Sequence, residues 1–136
     1  MKQVVVVNKA LKMKKGKLNA QVGHGQMAFL TTIIRNNSVK YDENNYKTEF
    51  LIDKDLYENW IDGAFTKIVV YAEDENHMNE LIEKAKTLGL QEKDDYFKII
   101  DNGLTVFNGK PTWTVIGFKP MKREIIDKIT GKLQLM

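Results

Sequence analysis

"QVVVVN" (residues 3–8) places four valines in a row near the start of the chain. Valine is β-branched and favours strands, and the run lacks the alternation of apolar and polar residues that marks a strand with one solvated face. A continuous run of this kind is typical of a central strand that is covered on both faces. The sequence therefore predicts an internal strand at 3–8, with the rest of the fold arranged around it.

A long helix is predicted directly after this strand, because apolar residues recur at helical spacing from Lys17 to about Arg35. They form two stripes, one of Leu18, Val22 and Phe29 and one of Ala20 and Met27. Between them, Lys17, Gln21 and His24 stand at i, i+4 and i+7, which is a single polar stripe of the helix. A polar stripe between two buried ones is expected to line a cleft, whereas an ordinary solvated face would lie opposite the core.

The remaining predicted elements follow from the same patterns and from turn and cap residues. In chain order they are an exposed Asn-rich loop at 36–49, a short helix at 53–62, a strand at 66–73, a helix from Asp74 to Gly89, strands at 96–100 and 112–118, and a helix at 122–130. The order β-α-α-β-α-β-β-α indicates a mixed sheet with helices on both faces. We expect a single α/β domain over residues 1–136.

Composition narrows the functional classes. The 136 residues are 43% hydrophobic and 29% charged, which is typical of a globular domain. Cysteine is absent, so disulfides, thiolate metal sites and a cysteine nucleophile are excluded. The apolar run near the N-terminus is too short for a signal peptide or a membrane span, and a cytoplasmic location is expected, without a membrane partner.

Nucleophile and metal motifs are also missing from the sequence. Ser38 is the single serine and lies in the polar loop, outside any G-x-S-x-G pattern. The two histidines, His24 and His77, have no partner at zinc-binding spacing, and no phosphate-binding glycine loop or dinucleotide fingerprint is present. We therefore expect neither a metal nor a cofactor.

Positive charge is concentrated before the long helix. "KALKMKKGK" (9–17) contains Lys9, Lys12, Lys14, Lys15 and Lys17, although the net charge of the whole chain is only +3. Because a helix N-terminus also presents free N–H groups, this segment is expected to attract phosphate or another anion. The alternative is an ordinary solvated lysine loop.

Polar residues also follow the predicted strand at 96–100. "DNGLT" (101–105) supplies Asp101 and Thr105, and Thr112 comes after the loop "FNGKP". In open α/β sheets, ligands gather beyond the carboxyl ends of strands. However, Asn102-Gly103 is also a strong signal for a plain hairpin turn, so both interpretations stay open on spacing alone.

Four segments of the chain resemble one known family in register. They are "MKQVVVVNKALKMKKGKLNAQVGH" at the start, Trp60 and Gly63 followed by "TKIVV", "IIDNGLT", and "IDKITGKLQL" near the end. Their G-K-x-x-A-Q-x-x-H, D-x-G-x-T and I-D-K-I-T-G patterns are similar to those of the type II peptidyl-tRNA hydrolases of archaea and eukaryotes.

The resemblance implies a three-layer α/β/α sandwich around a four-stranded mixed β-sheet, found as a homodimer. It implies cleavage of the ester between a peptide and the 3′ ribose of a tRNA, so peptidyl-tRNA is the expected partner. Matched by position, the implied catalytic residues are Lys17, His24, Asp101 and Thr105, and the implied substrate-binding residues include Gln21 and Thr112. We add Lys12, Lys14, Lys15 and Lys110 as expected phosphate contacts.

The sequence departs from the family pattern in several places. Asn102 stands where alanine is common, "VFNGKP" (106–111) replaces a proline-proline-glycine loop, Phe118 replaces a proline, and the segment between Arg35 and Trp60 is longer than in short archaeal members. The polar residues of the implied site are all retained. These departures put the docking of the tRNA acceptor end in question more than the fold.

With no serine or cysteine nucleophile available, direct attack by water is the expected chemistry. In this hypothesis Asp101 holds and activates the water, Lys17 stabilises negative charge, Thr105 and Thr112 donate hydrogen bonds, and His24 passes a proton to the leaving ribose oxygen. Two alternatives remain open: a catalytically inactive relative that binds tRNA or protein, and a hydrolase of a different ester or amide.

Overall fold

The computed structural model describes residues 1–103 and 107–136. The valine run forms β1, Gln3–Asn8, and all six of its residues are buried. It pairs in parallel with β4, Lys67–Ala72, and antiparallel with β6, Thr112–Phe118. With β5, Tyr96–Asp101, on the far side of β6, the sheet has the order β4-β1-β6-β5. The predicted central strand is therefore confirmed.

The other elements of the described chain follow in order. They are a 3-10 turn at Lys9–Leu11, helix α1 at Lys15–Asn36, strands β2 at Ser38–Lys40 and β3 at Tyr46–Thr48, helix α2 at Lys54–Leu56 with a π-helical continuation at Tyr57–Ile61, helix α3 at Glu75–Thr87 and helix α4 at Arg123–Thr130. Most predicted boundaries agree to within two residues. The short helix at 53–62 is present, but most of its length is π-helical rather than α-helical.

Helices cover both faces of the sheet. Beneath α1, the buried Val5, Val7 and Val115 pack with Val22 of the helix. On the other face, α3 and α4 contribute to a larger core that is centred on residues such as Leu81 and Ile126. This confirms the predicted three-layer α/β/α sandwich around a four-stranded mixed sheet.

Helix α1 approaches the sheet most closely where two glycines meet. A Cβ atom built on Gly117 of β6 would lie 2.8 Å from the Cα of Gly25, which is far inside van der Waals contact. The helix therefore packs backbone against backbone at this point. Its buried residues are Gln21, Val22, Gly25 and Phe29.

This contact also corrects the predicted second apolar stripe. Ala20 is exposed and Met27 is 52% exposed, so neither belongs to the core. Because the Gly25 side of the helix faces the sheet, both residues point away from it. The polar stripe consequently borders buried surface on one side only.

The segment 36–49 is mostly exposed, as its composition predicts, but it is not a loop without secondary structure. It contains a small antiparallel sheet in which Ser38 pairs with Thr48 and Lys40 with Tyr46. Asp42 closes the turn, because its side chain accepts hydrogen bonds from the Asn44 N–H and from the Asn45 amide. Strands of three residues are too short to show a period, so only the turn-forming Asp and Asn residues signal the hairpin.

The Asn102-Gly103 dipeptide is not a two-residue hairpin turn. Asp101 pairs with Thr112 across the sheet, so residues 102–111 all lie in the connection between β5 and β6. The interpretation of Asn102-Gly103 as a short hairpin turn is wrong for this reason.

Both tryptophans are buried. Trp60 is 4% exposed and Trp113 is 8% exposed. Trp60 packs edge-on against Phe29 and donates its indole N–H to the Thr66 carbonyl, so it holds α1 to the segment before β4. An exposed tryptophan is a natural anchor for a subunit interface, but neither of these side chains is available for that role.

The glycine contact gives a test of how α1 is seated. We expect Gly117→Ala to destabilise the fold by about 1–3 kcal/mol, because the added methyl group would push the helix away from the sheet. Gly23→Ala is the matched control, because a Cβ at Gly23 meets nothing within 4 Å and alanine is the better helix former. Urea unfolding measures the free energy of unfolding of the two variants. Equal values for Gly117→Ala and Gly23→Ala would contradict the close contact between Gly25 and Gly117.

Candidate active site

A half-buried ion pair joins α1 to the end of β5. The Lys17 Nζ lies 2.7 Å from Oδ2 of Asp101, and the two side chains are only 15% and 13% exposed. Lys17 is in the first turn of α1, and Asp101 is the last residue of β5. Two residues that are distant in the sequence therefore meet at one end of the sheet.

Gln21 extends this contact into the core. It lies one helical turn after Lys17 and is 2% exposed. Its Nε2 donates to Asp101 Oδ2 at 3.1 Å, and its Oε1 accepts a hydrogen bond of 2.6 Å from the Thr114 hydroxyl. Both ends of the amide are thus engaged, which fixes its orientation relative to the carboxylate.

Thr114 is a site residue that the sequence reasoning missed. The pairing of β5 with β6 shifts between Ile99 and Ile100, so that Val115 and Trp113 oppose consecutive residues and Thr114 is the extra residue of a bulge. A bulge redirects a side chain, and here it lets a fully buried hydroxyl reach Gln21. Only a break in the alternation of "TWTVIGF" could have signalled it.

The loop after β5 supplies a further donor to Asp101. The Gly103 N–H donates to Asp101 Oδ1 at 2.8 Å, and the Gly103 carbonyl accepts from the Gly109 N–H at 2.7 Å. Gly103 has a φ of 78°, and a Cβ there would lie 2.6 Å from the Lys110 nitrogen. Glycine is therefore required at this position on both conformational and steric grounds.

These contacts hold the Asp101 carboxyl in its ionised form. The Lys17 hydrogen bond lowers the pKa of Asp101 below its ordinary value of 3.8, and the Gly103 N–H lowers it further. Burial opposes these effects, while the charge of Lys17 and the Gln21 amide add smaller lowering effects. Asp101 is accordingly a carboxylate throughout the neutral pH range. A carboxylate has about four acceptor positions, and three are occupied among the described residues, which leaves one on Oδ1.

The structure does not bring every predicted residue to this centre. His24 is exposed at the mouth of a groove between α1 and β5, and no described residue forms a hydrogen bond with its imidazole. The Thr112 hydroxyl donates to the Lys110 carbonyl, within the connection to β6. Thr105 lies outside the described residues.

The predicted phosphate contacts lie in the two segments that flank the ion-pair residues in the sequence, around the start of α1 and in the loop after β5. Lys12, Lys14 and Lys15 are exposed, and Lys14 and Lys15 begin α1, which has no side-chain cap and no acidic residue in its first turn. The helix dipole and the lysines therefore add positive potential at the same place. Lys110 is exposed in the loop beyond Asp101, and Phe107 in that loop stacks its ring 5.7 Å from the Lys17 Nζ.

Two further properties concern the described residues as a whole. No group of three or more His, Cys, Asp or Glu residues within 1–103 and 107–136 is arranged to hold a metal ion. In the same ranges, no helix combines the length and the apolar character needed to cross a bilayer.

Comparison with known proteins identifies the family. The whole chain, residues 1–136, matches the family described as peptidyl-tRNA hydrolase PTH2. A peptidyl-tRNA hydrolase of Thermoplasma acidophilum is 35% identical over 135 residues, which are 99% of this chain and 97% of that protein. Peptidyl-tRNA hydrolases of Saccharolobus islandicus and Saccharolobus solfataricus are 32% and 30% identical, each over 99% of this chain and 98% of the relative. The chain therefore belongs to the PTH2 family of peptidyl-tRNA hydrolases.

Proposed function

We propose that this protein hydrolyses the ester between the peptide and the 3′ ribose of peptidyl-tRNA by direct attack of water. The observation that carries the proposal is the Lys17–Asp101 ion pair of 2.7 Å, which lies in a half-buried position beside an exposed lysine-rich segment. Membership of the PTH2 family and the names of the relatives support the same activity.

Asp101 positions the attacking water in this mechanism. The acceptor position on Oδ1 that no described residue occupies takes a hydrogen bond from the water, while Lys17, Gln21 and Gly103 hold the carboxylate in place. Because its pKa is lowered, Asp101 is a weak base, and orientation of the water is its larger contribution.

Lys17 stabilises the charge that forms as the reaction proceeds. When the water oxygen bonds to the ester carbon, the carbonyl oxygen becomes negative, and an ammonium group in a partly desolvated position favours this state. The water proton passes to the 3′ oxygen of the ribose as the bond from that oxygen to the ester carbon breaks. His24, exposed at the edge of the same helix, carries this proton. Thr105 donates a hydrogen bond to the substrate, and Thr112 does the same by exchanging its present acceptor, the Lys110 carbonyl, for the substrate.

The lysine segment before α1 binds the RNA. Lys12, Lys14 and Lys15 are exposed around a helix N-terminus, and this combination favours phosphate groups. Lys110 adds an exposed cation on the loop that follows Asp101. The amide of Gln21 serves mainly to align the carboxylate, because it is buried and engaged at both ends.

Several properties remain predictions that accompany this proposal. They are a single domain over residues 1–136, a homodimer and a cytoplasmic location. Since Trp60 and Trp113 are buried, a homodimer interface would have to use other apolar side chains.

The first test is release of the acyl group from an N-acetyl-aminoacyl-tRNA in the presence of a chelator. We expect the wild-type protein to turn over and Asp101→Asn and Lys17→Ala each to lose about 10²–10³-fold in rate, because each removes one side of the charged centre. Filter binding should show that both variants still bind tRNA.

The controls separate catalysis from folding and from simple binding. His77→Ala on α3 is the control variant, and it should keep full turnover. A substitution of Gln21 by Glu does not serve as a control, because it would bury a charge at a position that is 2% exposed. Near-full activity of Asp101→Asn would remove Asp101 from the mechanism. A wild-type protein that binds tRNA without any turnover would instead identify a binding module.

The second test concerns the lysine segment. We expect the affinity for tRNA to fall steeply with salt, and Lys14→Ala to reduce the slope of log K against log[salt] by about one unit. Lys84→Ala, which removes an exposed lysine from α3 on the other face of the sheet, should leave the slope unchanged. A slope near zero for the wild type would contradict tRNA as the ligand.

The third test concerns the ionisation of Asp101. Its pKa is lower in the folded than in the unfolded protein, so its charge stabilises the fold above pH 3.8 and this contribution is lost as the pH falls through the lowered value. We expect the wild type to be more stable than Asp101→Asn at pH 7 and the difference to narrow below about pH 4. Urea unfolding of both proteins between pH 7 and pH 3 measures this difference in the free energy of unfolding.

Asp62→Asn is the matched control for this measurement, because Asp62 is exposed and forms no side-chain hydrogen bond with any described residue. The free energy of unfolding of Asp62→Asn should differ little from that of the wild type, and the difference should not change with pH. A pH-independent difference between the wild type and Asp101→Asn would show that the ion pair is not formed in solution.

A further inference from the structure

We propose that the groove between α1 and the outer edge of β5 binds the peptide part of the substrate, as an extended strand added to the sheet. This inference rests on the proposed function and concerns the half of the substrate that the lysine segment cannot recognise. Residues of the peptide next to the ester would occupy the groove, and the ester itself would lie at Asp101.

The groove is large and has an apolar floor. Its volume is about 970 Å³, and it runs along α1 from His24 to Asn36 opposite β5 and residues 92–93. Phe97 and Ile99 of β5 form the floor, and the groove is also lined by Met27 and Ile100, which are 52% and 50% exposed. Apolar side chains that remain this exposed beside a polar rim are typical of a binding surface.

The backbone along this groove has unused hydrogen-bonding groups. The Tyr96 carbonyl points away from β6, because it accepts from the Lys93 N–H at 2.8 Å. Strand residues alternate in direction, so we infer that the N–H and C=O groups of Lys98 and Ile100 point the same way. Both residues pair with β6 in register, and no described residue outside the sheet forms a backbone hydrogen bond with them. An edge of this kind is a template for an additional strand.

The opposite edge of the sheet is closed by the chain itself. The Tyr71 N–H of β4 donates to the Gln134 carbonyl, and the Met136 N–H donates to the Val69 carbonyl. The C-terminal residues thus satisfy the edge of β4 as an added strand would. Among the described residues, the middle of β5 has no such cover.

The groove is continuous with the catalytic centre. Ile100, which lines it, directly precedes Asp101, and His24 belongs both to the groove and to the polar stripe of Lys17 and Gln21. From His24 to Asn36 the helix rises about 18 Å, which is the length of about five extended residues. A peptide with its ester at Asp101 and its N-terminus towards Asn36 would run parallel to β5.

Recognition through the backbone also suits the substrate chemistry. Peptides attached to tRNA differ in sequence, so specific side-chain pockets would reject many of them. Strand addition bonds main-chain groups that every peptide shares, apart from those at proline, and leaves side chains to an adaptable surface. The RNA half of the substrate then extends towards the lysines at the N-terminus of α1, away from the groove.

The test compares substrates that differ only in the length of the peptide. We expect kcat/KM to rise about tenfold from N-acetyl-aminoacyl-tRNA to a tRNA carrying an N-acetylated peptide of four or five residues, and then to level off. Turnover that is independent of length would overturn the inference while leaving the proposed function intact. Absence of turnover on every substrate, including N-acetyl-aminoacyl-tRNA, would overturn both.

A second set of substrates reports on the backbone contacts. A single N-methyl group is placed on each peptide residue in turn, counted from the ester. Since only alternate N–H groups of an added strand face the sheet, kcat/KM should fall about threefold or more at every second position and stay near the parent value between them. Equal effects at all positions would exclude strand addition.

Protein variants locate the effect on the chain. Met27→Glu places a charge in the groove and should abolish most of the gain with peptide length without changing turnover of N-acetyl-aminoacyl-tRNA. Ile34→Glu is the matched control, because Ile34 is 39% exposed on α1 but does not line the groove. If sedimentation shows a dimer that Met27→Glu dissociates, the groove is covered by a second copy and the inference is wrong.

Discussion

The seating of helix α1 on the sheet at Gly25 and Gly117 is the constraint on which the site depends. With no side chain on Gly117, the two backbones approach to a distance that a Cβ atom at this position would prevent. Gln21 and Lys17 lie one and two turns before Gly25, so the same face of the helix directs them along β6 towards the end of β5. A helix held even one side-chain layer higher would leave the Gln21 amide out of reach of Asp101 and Thr114.

The centre that results is charged but only partly solvated. Removing Lys17 and Asp101 from water costs free energy that the pair itself does not always recover, and such pairs are weak sources of stability. Here Gln21 and the Gly103 N–H satisfy further positions of the carboxylate, and Thr114 fixes Gln21 in turn. The arrangement is therefore better explained by the orientation it imposes than by its contribution to stability.

The sequence predicts the fold well where patterns are long. The valine run, the period of α1 and the caps of α3 are strong local signals, and each gives an element within two residues of its observed bounds. The hairpin at 38–48 was missed because its strands are too short to show a period. Ala20 and Met27 were assigned to the core because helical spacing gives the faces of a helix but not the one that meets the sheet.

The site itself was only partly accessible to sequence reasoning. Lys17, Gln21 and Asp101 follow from the polar stripe, the strand end and the family motifs, and the structure brings these three together. The position of the Thr114 side chain depends on a bulge in the pairing of β5 with β6. A bulge is a property of two paired strands, so the sequence of β6 alone hardly indicates it. His24 belongs to the same polar stripe but does not contact Asp101. It lies three residues after Gln21, and at this position the side chain points to the rim of the groove.

In the proposed function, the position of Asp101 lets one small domain serve a substrate with two unlike halves. It ends the edge strand of the sheet and faces the first turn of α1, so the ends of two elements meet there. Towards the start of α1, exposed lysines and free N–H groups favour a polyanion. Towards its end, an open strand edge and apolar side chains favour an extended polypeptide. An ester that joins RNA to peptide is the chemical bond that lies between these two surfaces, and the charged centre stands at the boundary between them.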